Sequence, residues 1–499
     1  MDIKEKLIKY IDAGFPILYI NSYEEDKMDR IVRESAAGRK ILEWNGVSGL
    51  SDFDTKNSMN LADPSLQGTL NFLLKGNEFD GTIIVLKDAQ SLMESPDIIA
   101  LLKYIACKIS NGSIETNIII QSPVKIIPKE LEPYITILEM DYLSTDDIKR
   151  IIMEFVQYNN VDIVRDELLE EMAISFKGLS QFEIDNILAL AYADDGELTK
   201  KDLGLIFEQK RQMIMKSGIL DMIPQKESIE DIGGLDNLKE WLNKKAKIFK
   251  NIDKAKEFGV DIPKGVLIAG VPGCGKSLNA KAAAKLFGVP LLRLDMGRIM
   301  GKYVGESEAN MRKAIALAEA IAPCVIWIDE LEKGFAGVGG ESGGADVTTR
   351  LFGSLLTWMQ EKESVAFVVA TANDIVKLPP ELLRKGRFDE IFYVGLPNDA
   401  EREKIFEIHI SKRRKADLND IDLKILVSKT RGYSGADIEG VVKESIENVY
   451  VEGRDKLTTQ DLLETIKNTH SLSEIMKEPL KKMSEEYENR KFKNASLER

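Results

Sequence analysis

The sequence predicts an α/β protein of two parallel-sheet modules in tandem, each followed by a helical segment. Three observations predict it. Short β-rich runs alternate with helical stretches twice along the chain, the pattern of a parallel sheet with crossover helices. One apolar strand, GVLIAG (265–270), runs directly into the glycine-rich turn GVPGCGKS and then the helical LNAKAAAKLF. Two segments of the first half, FKGLSQFEIDN (176–186) and ELTKKDL (197–203), resemble TRGYSGADIEG (430–440) and KLTTQDL (456–462) of the second, as an internal repeat would.

Residues 1–145 carry the runs PILYINSY (16–23), TIIVLKD (82–88), TNIIIQS (116–122) and YITILEMD (134–141), each of strand length and apolar enough to be an inner strand. Residues 146–221 read as helices, for example IKRIIMEFVQ and ELLEEMAISF, with apolar positions at helical spacing. MIPQKE (222–227) reads as a linker. A second α/β block follows over 228–397 and a second helical segment over 398–470. Residues 471–499 form a mostly charged tail whose Leu and Met are too sparse for a core; a docked helix and a frayed end fit equally.

Bulk properties narrow the function. With 499 residues, 44% hydrophobic and 30% charged, the chain has the composition of a soluble globular protein with several cores. Its apolar runs, such as FPILYI (15–20), fall short of the ~18 residues that a spanning helix needs, and no basic segment precedes a long apolar one as in a signal peptide. No membrane partner is expected. The three cysteines, Cys107, Cys274 and Cys324, are scattered, which suits a reduced compartment. A net charge of −14 opposes a polyanion as main partner, so nucleic acid is not expected; the basic run at 412–415 reads as a solvated helix end.

The chemistry lies in the second block. Gly270, Val271, Pro272, Gly273, Cys274, Gly275, Lys276 and Ser277 form G-x-x-x-x-G-K-[ST] between a strand and a helix, the setting that gives this motif its meaning. Glycines let backbone N–H groups close around a phosphate, and the helix start, with Leu278 in its first turn, adds a favourable dipole end. Lys276 is expected to reach the β- and γ-phosphates of ATP and Ser277 to ligate Mg²⁺. Downstream, CVIWIDE (324–330) is a buried-type strand ending in two acids: Asp329 for the metal and Glu330 to polarise the attacking water. SVAFVVATAND (364–374) ends near Asn373, placed to orient that water or simply to cap the next turn. ELLRKGRFDE (381–390) supplies Arg384 and Arg387, guanidiniums suited to a transferring phosphoryl group. If they serve a neighbour's nucleotide, activity requires a ring of subunits.

DIGG (231–234), the phosphate loop, IDE (328–330), TAND (371–374), LRKGRFD (383–389) and GYSGADI (432–438) together resemble, in order and spacing, the AAA clade of AAA+ ATPases. The resemblance covers about 230–470. It implies a P-loop AAA+ module, a parallel sheet flanked by helices plus a helical lid, working as a homo-hexamer. It also implies that Ile232 and Gly233 contact the adenine, that His409 in IFEIHI faces the nucleotide, and that Gly435 and Ala436 lie against the base. Read alone, His409 is a satisfied core residue. GLDNLKEWL (234–242), DELEKGFAG (329–337), LTWMQEK (356–362) and LPPELLRKGRFDEIF (378–392) look like the AAA family encoded in algal plastid genomes and cyanobacteria, and that similarity extends into both ends of the chain.

The first half then reads as a degenerate AAA-like domain, with an unrelated α/β domain as the other reading. IIVLKDA (83–89) stands where VIWIDEL stands, with Asp88 retained and Ala89 in the place of Glu330. No phosphate loop follows PILYINSY, and SYEED (22–26) sets acids against a would-be phosphate. In the second half, Tyr303, Val304 and Gly305 occupy the position of the family's first pore loop, with the aromatic–apolar–glycine pattern of loops that grip polypeptide by bulk and stacking. GVGGESGGAD (337–346) would lie near a second. The expected function is ATP hydrolysis coupled to remodelling or threading of a protein client by a hexameric ring; an ATP-gated scaffold is the alternative. No H-E-x-x-H protease motif is present. The expected location is cytoplasmic, or the plastid stroma for a plastid-encoded chain. Cys274, beside Lys276 at a helix start, reads as a small tolerated residue of the loop, with a lowered thiol pKa and redox control as the other reading.

Overall fold

Apolar runs buried on both faces become the inner strands of two separate sheets. The computed structural model describes residues 3–22, 24–75, 80–123, 125–139, 142–161, 165–216, 218–225, 227–299, 306–335, 344–384 and 386–497. By packing the chain divides into two units, Met1–Asp202 and Leu203–Arg499.

In the first unit β1 (Ile17–Asn21), β2 (Ile41–Asn45), β3 (Gly49–Asp52), β4 (Thr82–Lys87), β5 (Thr116–Ser122) and β6 (Ile135–Glu139) form a sheet in the order β3-β2-β4-β5-β1-β6. All neighbours are parallel except β3, which returns antiparallel on β2. Side chains alternate between two cores. Ile17, Tyr19, Ile84, Leu86, Ile118 and Ile120 pack with Leu70, Leu102 and Ile105 on one face, while Leu18, Ile20, Ile83, Val85 and Ile119 pack with Leu7, Met28 and Val32 on the other. Helices Thr145–Asn159, Asp166–Phe176 and Gln181–Asp195 follow, and helix Asp202–Lys216 runs on into the second unit. Ser144 caps the first with Asp147 and Ser180 the third with Glu183, each pair satisfying two otherwise free N–H groups.

In the second unit β7 (Leu220–Ile223), β8 (Gly265–Gly270), β9 (Leu291–Leu294), β10 (Cys324–Ile328), β11 (Ala366–Ala372), β12 (Glu390–Val394) and β13 (Lys493–Asn494) run in the order β13-β12-β8-β11-β10-β9-β7. The five parallel strands β12-β8-β11-β10-β9 follow the same succession as β6-β1-β5-β4-β2 of the first unit: fifth, first, fourth, third, second in chain order. Leu267, Leu292, Ile326 and Val368 face one core; Val266, Leu291, Val325 and Phe367 face the other. A lid of helices Asp399–Arg414, Leu423–Lys429, Gly435–Val451 and Thr459–Asn468 has its own core around Phe406, Leu426, Ile438 and Leu462. Its caps, Asn398–Glu401, Ser434–Asp437 and Thr458–Asp461, repeat the Ser-capped pattern of the first unit, and Thr199 N–H bonded to Asp202 at 2.7 Å completes the correspondence.

The sheet's edges differ from the sequence reading. The stretch read as a linker at 222–227 begins inside β7, which lies antiparallel on β9 and buries Leu220 and Met222. Ile214 of the helix Asp202–Lys216 is buried with them. At the other edge the charged C-terminal stretch is docked: helix Lys477–Arg490 buries Tyr487, which stacks on Tyr393 at 4.2 Å. β13 then pairs with β12. Ala495 N–H bonds Tyr393 O at 2.8 Å, and Ala495 O accepts from Leu238 N at 3.2 Å. The outermost strands are thereby short, four residues in β7 and two in β13, and short edge strands disfavour edge-to-edge association.

Candidate functional site

The site forms where β8, β10 and β11 end beneath the lid, the usual place for a ligand in an open parallel sheet. Gly270 ends β8 at φ +144°, where a Cβ would stand 2.1 Å from Val394 O; only glycine lets the loop leave the sheet so close to β12. The chain turns through Val271–Gly275 into helix Lys276–Phe287. A cavity of about 410 Å³ opens above it, within the range of small-ligand pockets.

Its walls include Ile232, Gly233, Pro272, Gly273, Cys274, Gly275, Lys276, Ser277, Leu278, Asp329, Glu330, Asn373, His409, Gly435 and Ala436. Gly270 and Val271 stand behind the wall, their carbonyls accepting from Lys276 Nζ at 2.9 and 2.7 Å. Neither Arg384 nor Arg387 lines this cavity. Arg384 is exposed, and Arg387 donates to Glu381 O. Tyr303, Val304 and Gly305 lie outside the described residues, as do 337–343 of the second glycine-rich stretch.

The acids are tied to the phosphate loop and to each other. Ser277 Oγ donates to Asp329 Oδ1 at 2.9 Å. Asn373 Nδ2 donates to Glu330 Oε1 at 3.1 Å. Glu330 itself sits at φ +49°, a left-handed conformation that costs a non-glycine residue roughly 1–2 kcal/mol. Burial lowers Lys276 from 10.5 to about 8, against the opposing influence of Cys274, Glu332, Asp329 and Glu330. This is a buried cation bonded to carbonyls alone, a setting that an incoming polyanion would neutralise. The hydroxyl and carboxylate of Ser277 and Asp329 are oxygen donors of the kind that Mg²⁺ takes together with substrate oxygens. Both groups therefore fit a Mg²⁺-bound triphosphate.

The base side is built by the lid. Gly233 lies so close to the first lid helix that a Cβ would meet Ile405 Cγ1 at 2.4 Å. Ala436 N–H bonds Gly273 O at 2.9 Å. Burial lowers the pKa of His409, outweighing Glu439, and its Nδ1 faces Arg413 at 3.3 Å. Because arginine only donates, Nδ1 accepts and the proton sits on Nε2.

The surroundings of Cys274 favour the reading as a small tolerated residue over redox control. Burial pushes the thiol up to about 11, overriding the pull of Lys276, so helix start and neighbouring cation do not yield a thiolate at neutral pH.

Three contributors were missed by the sequence reading. Thr371 lines the cavity beside Asp329. Glu332, 6% exposed, accepts from Asn373 N at 3.0 Å. Glu401 accepts from Leu235 N at 3.0 Å and from Asn398 N at 3.0 Å. Only Glu401 had a readable signal, the Asn-x-x-Glu of a capping box.

The corresponding place in the first unit is built differently. Asp88 at φ +51° and Glu330 at φ +49° are the matching left-handed residues just past β4 and β10. This puts Asp88 opposite Glu330, not Asp329 as the sequence suggested, and puts Lys87 in the place of Asp329. Lys87 pairs with Asp29 at 2.8 Å and Glu25 at 3.2 Å, on the helix that follows β1 as Lys276–Phe287 follows β8.

A phosphate loop at the end of β8, an acid pair past the tip of β10 with β11 between the two strands, and a capping lid define a P-loop ATPase of the AAA class. Comparison with known proteins agrees. The AAA ATPase family model matches residues 266–396 and the AAA+ lid domain 420–464. The N-terminal and second domains of SpoVK-like AAA ATPases match 3–140 and 146–217. The AAA domain-containing protein ycf46 of Guillardia theta is 37% identical over 93% of this chain and 90% of its own length. That of Pyropia yezoensis is 36% identical over 100% of both. A proteasome-activating nucleotidase of Saccharolobus solfataricus is 30% identical over 82% of this chain and 99% of its own. The chain belongs to the ycf46 family of AAA ATPases. Among the described residues no helix is long and apolar enough to cross a membrane.

Proposed function

We propose that the second unit binds ATP with Mg²⁺ in this cavity and hydrolyses it to drive remodelling of a protein client by a homo-hexameric ring. The observation that carries the reading is the bond between Asn373 Nδ2 and Glu330 Oε1, 3.1 Å, beside the Ser277–Asp329 pair at 2.9 Å. Gly273–Ser277 cradle the phosphates, and Lys276 balances their charge. Ser277 and Asp329 hold the cation, which when bound neutralises charge on the phosphoryl oxygens. Glu330 accepts the proton of the attacking water while Asn373 fixes its direction. Ile232, Gly233, Leu278, His409, Gly435 and Ala436 enclose the base.

Arg384 and Arg387 stand outside their own chain's cavity, which supports their acting on the nucleotide of an adjoining copy. Tyr303, Val304 and Gly305 grip the client by their sequence position. Residues 1–221 are a degenerate AAA-like α/β domain with its own helical lid, unable to bind ATP: the shared strand succession and repeated helix caps support common ancestry, and Lys87 in the place of a metal-binding acid removes the site. This part recruits the client. The location follows the sequence expectation, cytoplasmic or stromal.

The test is Glu330→Gln, measured for nucleotide binding by fluorescent ATP titration and for turnover by phosphate release. Binding is expected to persist while turnover drops about 10²–10⁴-fold, the worth of a general base. Parental turnover overturns the assignment.

A further inference from the structure

We propose that the Thr371 hydroxyl is a positioning group for hydrolysis, bridging Asp329 and Glu330 so that the acid for the cation and the acid for the water are set by one oxygen. Thr371 is 1% exposed and stands near the end of β11, whose other residues, Ala366 to Ala370 and Ala372, are apolar. A hydroxyl so deeply buried must be bonded. Its bonds are 2.6 Å as donor to Asp329 Oδ1 and 3.0 Å as acceptor from Glu330 N–H. Asp329 Oδ1 takes its other hydroxyl proton from Ser277 at 2.9 Å, so Thr371 completes a pair of charge-assisted bonds that fix the carboxylate's rotation.

The second bond anchors the backbone of Glu330 in its left-handed conformation. Four residues past the end of β10, Glu332 accepts at 3.0 Å from the N–H of Asn373, the first residue beyond β11. The two ties run in opposite senses between β11 and the turn after β10, and the Glu330–Asn373 side-chain bond lies between them. Each partner of the water-directing pair is thus held by the other's segment.

The first unit shows that the fold does not itself require this hydroxyl. There the matching left-handed residue, Asp88, gives its N–H to the backbone carbonyl of Gln121 at 3.0 Å. A backbone carbonyl cannot also donate to an acid. The side chain of Thr371 therefore adds the one link that a non-hydrolytic sheet lacks, between backbone geometry at Glu330 and carboxylate orientation at Asp329.

The inference rests on the proposed roles of Asp329 and Glu330. It is tested on the full chain with Thr371→Val, Thr371→Ser and Glu330→Gln, reading kcat, affinity for a Mg²⁺-bound non-hydrolysable ATP analogue, and thermal melting. Thr371→Val is expected to lower kcat about ten- to a hundredfold, the cost of an orphaned buried N–H and a lost charged bond. Analogue affinity should shift less than about threefold, because the phosphate loop is untouched. Thr371→Ser, which keeps the oxygen, is expected to restore kcat to within about threefold. The inference is overturned if Thr371→Val turns over like the parent while Glu330→Gln does not, if Thr371→Ser is as slow as Thr371→Val, or if analogue affinity falls in step with kcat. If Glu330→Gln also retains parental turnover, the proposed function fails with it.

Discussion

Replacing Lys276 by Met should make the nucleotide-free protein more stable while abolishing ATP binding. The ammonium is 7% exposed, and burial takes it from 10.5 to about 8. At about 1.4 kcal/mol for each tenfold change in proton affinity, holding this charge inside the fold costs about 3 kcal/mol at neutral pH. Methionine has a similar length and no charge. Its substitution gives up the two bonds to Gly270 O and Val271 O, each worth about 0.5–1.5 kcal/mol net. The balance leaves Lys276→Met about 1 kcal/mol more stable at pH 7.

The pH dependence fixes the sign. Between pH about 8 and 10.5 the unfolded chain holds the Lys276 proton and the fold does not, so parental stability rises with pH across that window. The penalty is fully present below 8. The advantage of Lys276→Met should therefore shrink and reverse as pH approaches 10.5. Urea unfolding without nucleotide at pH 7 and pH 10, paired with fluorescent ATP titration, measures both effects. A variant less stable than its parent at pH 7, or an advantage that does not change with pH, refutes the reasoning.

Two further predictions concern packing. Tyr487 OH is buried without a hydrogen-bond partner among the described residues, so Tyr487→Phe should hold or raise stability by up to about 1–2 kcal/mol, whereas Tyr487→Ala should lose about 3–5 kcal/mol with the aromatic volume; urea unfolding of the two side by side gives the comparison. In the first unit, Lys87→Met removes the contacts to Glu43, Asp29 and Glu25 at 3.3, 2.8 and 3.2 Å but leaves Lys56 on Glu43 at 2.7 Å and Asp29 at 3.6 Å, and should destabilise that unit by about 1–3 kcal/mol, read as an earlier loss of amide-exchange protection in β1, β2 and β4.

What could be read from the sequence followed from local rules. GVPGCGKS announces its turn because glycine, lysine and serine act within eight consecutive residues, and the inner strands announce themselves because both faces are buried. β13 was unreadable because Lys493 and Asn494 contribute backbone pairing rather than an apolar pattern. β7 was taken for a linker because four residues are too few to show alternation. Thr371 was read only as part of the strand leading to Asn373, since its importance depends on Asp329 standing beside it across the sheet. Cys274 shows the converse: the charge and helix start visible in sequence favour a thiolate, and the burial that opposes them is visible only in the folded chain. The similarity of FKGLSQFEIDN to TRGYSGADIEG is legible in the sequence, but Lys87 standing where Asp329 stands is plain only through the backbone conformation of Asp88.

Glu401 joins the segment before helix Asp236–Phe249 to the lid through Leu235 N, and Gly233 is pressed against Ile405 of that same lid helix. The wall formed by Gly233 and Leu235 is consequently fastened to the lid twice, by a hydrogen bond and by close packing. A lid parting from the phosphate loop would have to break the bond between Ala436 N–H and Gly273 O, while the bond between Leu235 N–H and Glu401 stays within the lid side.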